Sequence, residues 1–308
     1  MRADETIGVV RHVYECPMRW ADLDLQQHVN NVKYLDYLQD ARVDMFRTHA
    51  PSMRAEATAD LSEALVVVSH DVSYLAPLGL HHSVTVECWV SQVRAASFTI
   101  SYEIVSQHGE GGRVVHATAS TVLAPFVFAE ERPRRITAEE KALLATLRDE
   151  AGSPSGPQAP GEPLRFAEPW ITPEGTYPQH VRFSDVDAYG HVNNVTYLEY
   201  LQEARIAFMS RLQKELENPG ATAFVVARAQ IAYLSPMLHR PEPYTSHSWI
   251  ERVGTKSMVV ETRISDGEVV NARGRVVMVS FDTATQRSAA PSAEMKALQL
   301  RWAAPTDR

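Results

Sequence analysis

The chain has 308 residues, 44% of them hydrophobic and 22% charged. That length suggests two domains of ordinary size, and the balance is that of a folded globular protein rather than a disordered or fibrous one. A net charge of −8 argues against a general nucleic-acid binder, which needs a basic footprint to neutralise phosphates. The opening stretch MRADETIGVVRHVYE has no apolar core of signal-peptide length, and no apolar run reaches the ~18 residues of a membrane span, so a cytoplasmic protein without a membrane partner is expected.

In chain order, the first informative segment is RWADLDLQQHVNNVKYLDYLQDAR, Arg19 to Arg42. Behind HVNNV, Tyr34, Leu38, Ala41 and Met45 recur at spacings of four, three and four, which predicts one apolar face of a helix. Arg42 is expected to serve structure, through Asp40. Further on, Val84, Val86, Cys88 and Val90 alternate with Thr85, Glu87, Trp89 and Ser91, and Phe98, Ile100, Tyr102 and Ile104 alternate with polar residues, predicting half-buried antiparallel strands. Thr137 and Glu140 have capping-box spacing ahead of KALLATL, a terminal helix. Residues 151–164 are rich in Pro, Gly and Ser, the composition of a linker between a first domain at 1–150 and a second at 165–308.

The second domain repeats the first. RFSDVDAYGHVNNVTYLEYLQEAR, Arg182 to Arg205, matches Arg19 to Arg42 at 15 of 24 positions. Tyr197, Leu201, Ala204 and Phe208 reproduce the helix face, with Arg205 expected near Glu203. SYLAP (Ser73 to Pro77) is answered by AYLSP (Ala232 to Pro236), Trp89 by Trp249, and the terminal helix by SAEMKALQL. One long helix among several strands in each copy implies an α+β arrangement with the sheet wrapped around the helix.

Polar residues crowd between Asp22 and Asn31, just ahead of the apolar helix, and two readings account for them. Asn30 or Asn31, and Asn193 or Asn194 in the second copy, can cap the helix by accepting hydrogen bonds from its orphan amides. Alternatively, those amides and the positive end of the helix dipole face a cleft and hold an oxyanion. Asp24 and Asp187 precede the asparagines by six or seven residues, so the loop can fold back and set a carboxylate beside the helix terminus. A carboxylate there could attack a thioester carbonyl or activate a water, because the thiolate leaves easily. A lone Asp before a helix is usually a cap or loop residue. Its recurrence with His28 and His191, in loops that otherwise differ, favours a shared purpose. Asp22 and Asp185 are expected to pair with Arg19 and Arg182 or to solvate the loop. With no HExxH motif and no paired cysteine spacing, no metal and no cofactor is expected.

HVNNVKYLDYLQDAR after DLD, and HVNNVTYLEYLQEAR after DVD, resemble the signature of the 4-hydroxybenzoyl-CoA thioesterase family of hot-dog proteins. The segment DLDLQQHVNNVKY also resembles plant acyl-ACP thioesterases, which contain two hot-dog domains. The resemblance implies tandem hot-dog domains paired as a pseudo-dimer, with further homo-oligomerisation, acting in lipid metabolism on an acyl-CoA or acyl-carrier-protein thioester. It implies Asp24 and Asp187 as catalytic carboxylates, with His28 and His191 beside them. The plant Asn falls on Gln26 and Tyr189, a departure from that pattern; Gly190 fits the bacterial pattern and Gln27 departs from it. Arg94 and Lys256, at matching turns after each Trp strand, are candidate cations for CoA phosphates. The rival readings are an acyl-ACP thioesterase, a hot-dog hydratase or dehydratase, and a non-catalytic acyl-CoA-binding protein.

Overall fold

A computed structural model describes residues 11–53, 62–80, 84–107, 112–149, 163–217, 222–282, 285 and 287–305. The linker expected over 151–164 lies outside the described residues apart from Pro163 and Leu164. The chain divides into two compact units, one of Met1–Val68 with Leu75–Glu162, the other of Ser69–Tyr74 with Pro163–Arg308.

The first unit runs through β1 (His12–Cys16), α1 (Tyr34–His49), β2 (Glu63–Tyr74), β3 (Val84–Val93), β4 (Phe98–Gln107), β5 (Arg113–Val127), β6 (Arg132–Pro133) and α2 (Ala138–Thr146). β1, β3, β4 and β5 lie side by side in that order, all antiparallel. The predicted helix face is the one that goes inside: Tyr34, Leu38, Ala41 and Met45 are buried. Phe46 meets Phe98 edge to face at 6.1 Å, and Met45 Sδ lies 3.6 Å from Cys88 Sγ. Cys16 and Cys88 are buried free thiols.

β3 alternates as expected from Val84 to Cys88, whereas β4 is buried on both faces. Thr99 and Ser101 on β4, and Trp89 on β3, are as buried as their apolar neighbours. The polar face is covered because α2, started by the Thr137–Glu140 capping box, returns over it, with Leu147 O accepting from Val90 N (2.8 Å) and Asp149 N donating to Val90 O (3.1 Å). The hydroxyls caught beneath are paired, as buried polar groups must be: Ser101 Oγ bonds Ser91 Oγ at 2.8 Å. The Arg11 guanidinium lies over the Trp89 ring at 3.9 Å.

The second unit contains the last residues of β2, then β7 (Thr176–Gln179), α3 (Thr196–Gln213), β8 (Thr222–Tyr233), β9 (Tyr244–Val253), β10 (Ser257–Asp266), β11 (Val269–Asp282), β12 (Arg287–Ser288) and α4 (Ala293–Trp302). Its strand order is β2, β8, β11, β10, β9, β7, with Ser69–Ser73 paired antiparallel to Arg228–Ala232. Tyr197, Leu201, Ala204 and Phe208 of α3 face the sheet and are buried. Helix and strand come close together at Gly274, where a Cβ would stand 2.3 Å from Leu201 Cδ1, so a larger residue would require the Leu201 side chain to move. Ser292 caps α4 through Met295 N (3.1 Å), and Ala304 N donates to Ile250 O (2.8 Å), fastening the C-terminal segment to β9 as α2 is fastened to β3.

Arg42 and Arg205 do not turn to Asp40 and Glu203. Residues two apart on a helix point to different sides, and both arginines are buried instead. Burial pushes the Arg205 guanidinium down to about 10, against the opposing influence of Tyr74. No described helix is long and apolar enough to cross a membrane.

Candidate active site

Each copy builds the loop ahead of its long helix on a buried carboxylate. In the first, a single 3-10 turn, Trp20–Asp22, delivers Asp22 into the interior, 1% exposed. There it accepts from Arg19 N (3.0 Å), Arg19 Nε (3.2 Å) and the Tyr37 hydroxyl (2.8 Å). Burial alone would raise this carboxyl's pKa, but the Arg19 amide, its guanidinium and Tyr37 together hold it below the usual carboxylate range. Asp185 repeats the arrangement with Arg182 N (2.9 Å), Arg182 Nε (3.2 Å) and Tyr200 (2.6 Å), and its pKa is lowered in the same way. The pairing with Arg19 and Arg182 was expected; the helix tyrosines were not.

Main-chain bonds then fold the loop back on itself. Asn30 N donates to Asp22 O (2.8 Å), Leu23 and Val29 form an antiparallel bridge, Asp24 N donates to His28 O (2.7 Å), and Gln27 N closes a turn onto Asp24 O (3.0 Å). The second loop matches it: Asn193 N to Asp185 O (2.8 Å), Val186 bridged to Val192, Asp187 N to His191 O (2.8 Å), and Gly190 N to Asp187 O (3.0 Å). The closing residue is left-handed in both, Gln27 at φ 62 and Gly190 at φ 79. The loops are moored to the segments after β2 and β8 by Val29 N to Leu78 O (2.8 Å) and Val192 N to Met237 O (2.9 Å). Those segments are fixed in turn, since Pro77 O accepts from His116 Nδ1 (3.0 Å) and Pro236 O from Asn271 Nδ2 (3.1 Å).

Within this frame Asp24 Oδ1 accepts from the amides of Gln26 (2.8 Å) and His28 (3.2 Å), and Asp187 Oδ1 from those of Tyr189 (2.9 Å) and His191 (3.4 Å). The recorded ties from Gln26, His28, Tyr189 and His191 to the aspartates are thus through the main chain. Among the described residues, Oδ2 of neither aspartate has a hydrogen-bond partner. Both carboxylates act on the first turn of the helix. Burial, and next the charge of Asp24, push up the pKa of Tyr34, the first residue of α1. In the second copy burial likewise raises Tyr197; Met237 N, donating to its hydroxyl (2.9 Å), opposes the rise, and the charge of Asp187 adds to it. The Tyr189 hydroxyl is raised by burial and by the same Asp187 charge.

The asparagines take the capping position. Asn30 Oδ1 accepts from Val32 N and Asn193 Oδ1 from Val195 N, both at 3.4 Å. Asn31 begins the 3-10 turn Asn31–Lys33 that leads into α1. Asn194 Nδ2 donates to Asn193 Oδ1 (3.1 Å). Asn194 also meets a histidine the sequence did not single out: His70 Nε2, on a side chain 2% exposed, lies 3.1 Å from Asn194 Oδ1. Tyr233 donates its hydroxyl to Asn194 O (2.7 Å). The one sequence signal for this pair was SYLAP and AYLSP, whose tyrosines are Tyr74 and Tyr233; His70 itself has no counterpart, because Ala229 occupies its place in the repeat.

Arg94 and Lys256 are not brought to the loop of their own copy. They follow the far ends of β3 and β9, ten-residue strands whose near ends adjoin the mooring segments, so roughly 30 Å of strand intervenes. Arg94 Nε bonds Gln92 Oε1 (3.0 Å), and Lys256 Nζ bonds Ser288 O (3.3 Å).

The sequence pattern of the thioesterase-like superfamily matches this chain twice, over residues 18–146 and 181–299. The chain belongs to the thioesterase-like superfamily. The long-chain acyl-CoA thioesterase FadM of Escherichia coli (strain K12) is 31% identical over 130 residues, 42% of this chain and 92% of FadM. An uncharacterized Bacillus subtilis (strain 168) protein, YsmA, is 43% identical over 58 residues, 19% of this chain and only 39% of YsmA. Among solved structures, a Lactobacillus plantarum protein assigned as an oleoyl thioesterase aligns with TM-score 0.69 at 14% identity, over 89% of this chain and 97% of that one. The 12:0-ACP thioesterase from Umbellularia californica aligns with TM-score 0.68 at 12% identity, over 91% and 98%. These two likenesses establish the tandem thioesterase fold, and membership of the superfamily makes the chain a thioester hydrolase.

Proposed function

We propose that this member of the thioesterase-like superfamily hydrolyses acyl-CoA to the free acid and CoA thiol, with Asp24 and Asp187 as the acting carboxylates. The observation that carries the reading is the carboxylate of each loop, held by one oxygen while its charge reaches the first turn of the long helix. The other oxygen then serves as nucleophile, giving an acyl anhydride that water opens, or as base for a water that attacks the carbonyl. Either way the C–S bond breaks, the thiolate leaves and is protonated, and the acid gains the water oxygen. The orphan amides behind Asn30–Asn31 and Asn193–Asn194 stabilise the oxyanion, aided by the helix dipole. CoA rather than an acyl carrier protein is favoured by the similarity to FadM, which spans nearly all of that relative. No resident cofactor enters this chemistry.

The test is free-thiol release across a series of acyl-CoA and acyl-carrier-protein thioesters, with enoyl product measured in parallel and no metal added. Thiol release from acyl-CoA that survives chelation is expected. Enoyl product without thiol would instead mark a hydratase, and activity lost on chelation and restored by a divalent ion would overturn the metal-free mechanism.

A further inference from the structure

The two loops share their frame, and the helix start in the second unit is tied to a histidine that the repeat does not supply to the first. Asn194 stands two residues ahead of α3. Its Nδ2 donates to Asn193 Oδ1 (3.1 Å), so its Oδ1 is the atom that faces His70 Nε2 at 3.1 Å. An oxygen there can only accept, and the His70 imidazole therefore carries a proton on Nε2. Asn193 Oδ1 in turn receives Val195 N (3.4 Å). On the main-chain side, Asn194 O is held by the Tyr233 hydroxyl (2.7 Å), whose ring packs edge to face on His70 (5.8 Å) and on Tyr197 (5.1 Å). Tyr197 is the residue whose hydroxyl responds to the charge of Asp187. A buried imidazole is thereby linked, contact by contact, to both the cap of α3 and the surroundings of Asp187. Aligned by SYLAP and AYLSP, its counterpart is Ala229, which has no donor, so the repeat supplies this imidazole once.

We propose that His70 is a positioning residue for the second loop: it fixes the Asn194 and Asn193 amides, and with them the helix start beside Asp187, and it does not serve Asp24. The inference rests on the thioester-hydrolase reading for its catalytic consequence but not for its structural one. A side-chain amide held in one orientation keeps the neighbouring main-chain donors aligned in advance, which is what stabilisation of a developing oxyanion requires.

The experiment measures acyl-CoA turnover for His70→Ala and His70→Gln, each placed in an Asp24→Asn background, where only the second loop keeps its carboxylate, and in an Asp187→Asn background, where only the first does. His70→Ala should lower kcat at least tenfold in the former with little change in KM, and less than twofold in the latter. His70→Gln, which returns a donor at similar reach, should recover most of the loss. In parallel, hydrogen exchange should quicken at least fivefold in His70→Ala for amides of residues 194–199, and stay unchanged for residues 31–36. Equal losses in both backgrounds, or no loss in either, would overturn the proposal. If neither background cleaves any thioester, the acyl-CoA reading fails, and exchange still decides on His70: unchanged protection at 194–199 would overturn its positioning role.

Discussion

The loops around Asp24 and Asp187 have the same backbone and different surroundings. Both hang from a buried aspartate tied to an arginine and a helix tyrosine, and both close on a left-handed residue. Yet Asp24 is exposed, beside a fully exposed Leu25, whereas Asp187 is half-buried and stands near a helix start held by His70 and Tyr233. The comparison separates two jobs that the motif performs at once. Asp22 and Asp185 set the shape of the loop, while the residues at 25–27 and 188–190 set the environment of the carboxylate it presents.

The largest expected effect breaks both sites together. The double variant Asp24→Asn with Asp187→Asn should lose at least about a hundredfold in turnover, ~2.7 kcal/mol of barrier, with thermal unfolding nearly unchanged. Each single variant should retain the other loop's activity, and the size of each loss ranks the two environments. A folded double variant working near the wild-type rate would make these carboxylates caps rather than catalysts.

Next in size is the frame. Asp185→Asn removes a buried charge that accepts from Arg182 and Tyr200, at an expected cost of about 2 kcal/mol in unfolding free energy. The Asp22 and Asp185 carboxyls titrate lower in the folded chain than in the unfolded one. Their contribution is therefore complete above the unfolded value of about 3.9 and is lost as pH falls through the lowered folded value. Denaturant titrations at a series of pH values should show a shallower acid decline in Asp185→Asn than in the wild type, and parallel curves would refute this.

The smallest effect concerns the closing turn. Gln27 pays for a left-handed backbone that glycine adopts freely, so Gln27→Gly should stabilise the protein by about 1 kcal/mol and Gly190→Ala should destabilise it by a similar amount. Gly190 has open space around its Cβ position, so the penalty is conformational rather than steric. Shifts of the same sign in the two variants would contradict that account.

Much of this was legible in the sequence. The repeat, the helix face, the cap at Thr137 and the terminal helix of SAEMKALQL depend on local spacing, and they were read correctly. Burial of Thr99 and Ser101 was not legible, because alternation records only whether a side chain is polar, and here a returning helix covers the polar face. His12 and His49, isolated in sequence, meet at 3.1 Å between β1 and α1. At the site, the asparagine caps followed from residue type, but Tyr37 and Tyr200 were assigned no role. Their role depends on the loop folding back fifteen residues to meet them. His70 was hidden for a related reason: the repeat drew attention to what the copies share, and this residue is where they differ.

The separation of anchor from loop tip has a practical corollary for protein engineering. Between Asp24 and His28, and between Asp187 and His191, three residues are spanned by main-chain bonds that depend little on side-chain identity. Leu25–Gln26 and Ala188–Tyr189 are therefore the exchangeable part of each tip, and a library confined to them, with glycine at the left-handed position 27 or 190, samples new chemical environments for the carboxylate while leaving its scaffold intact.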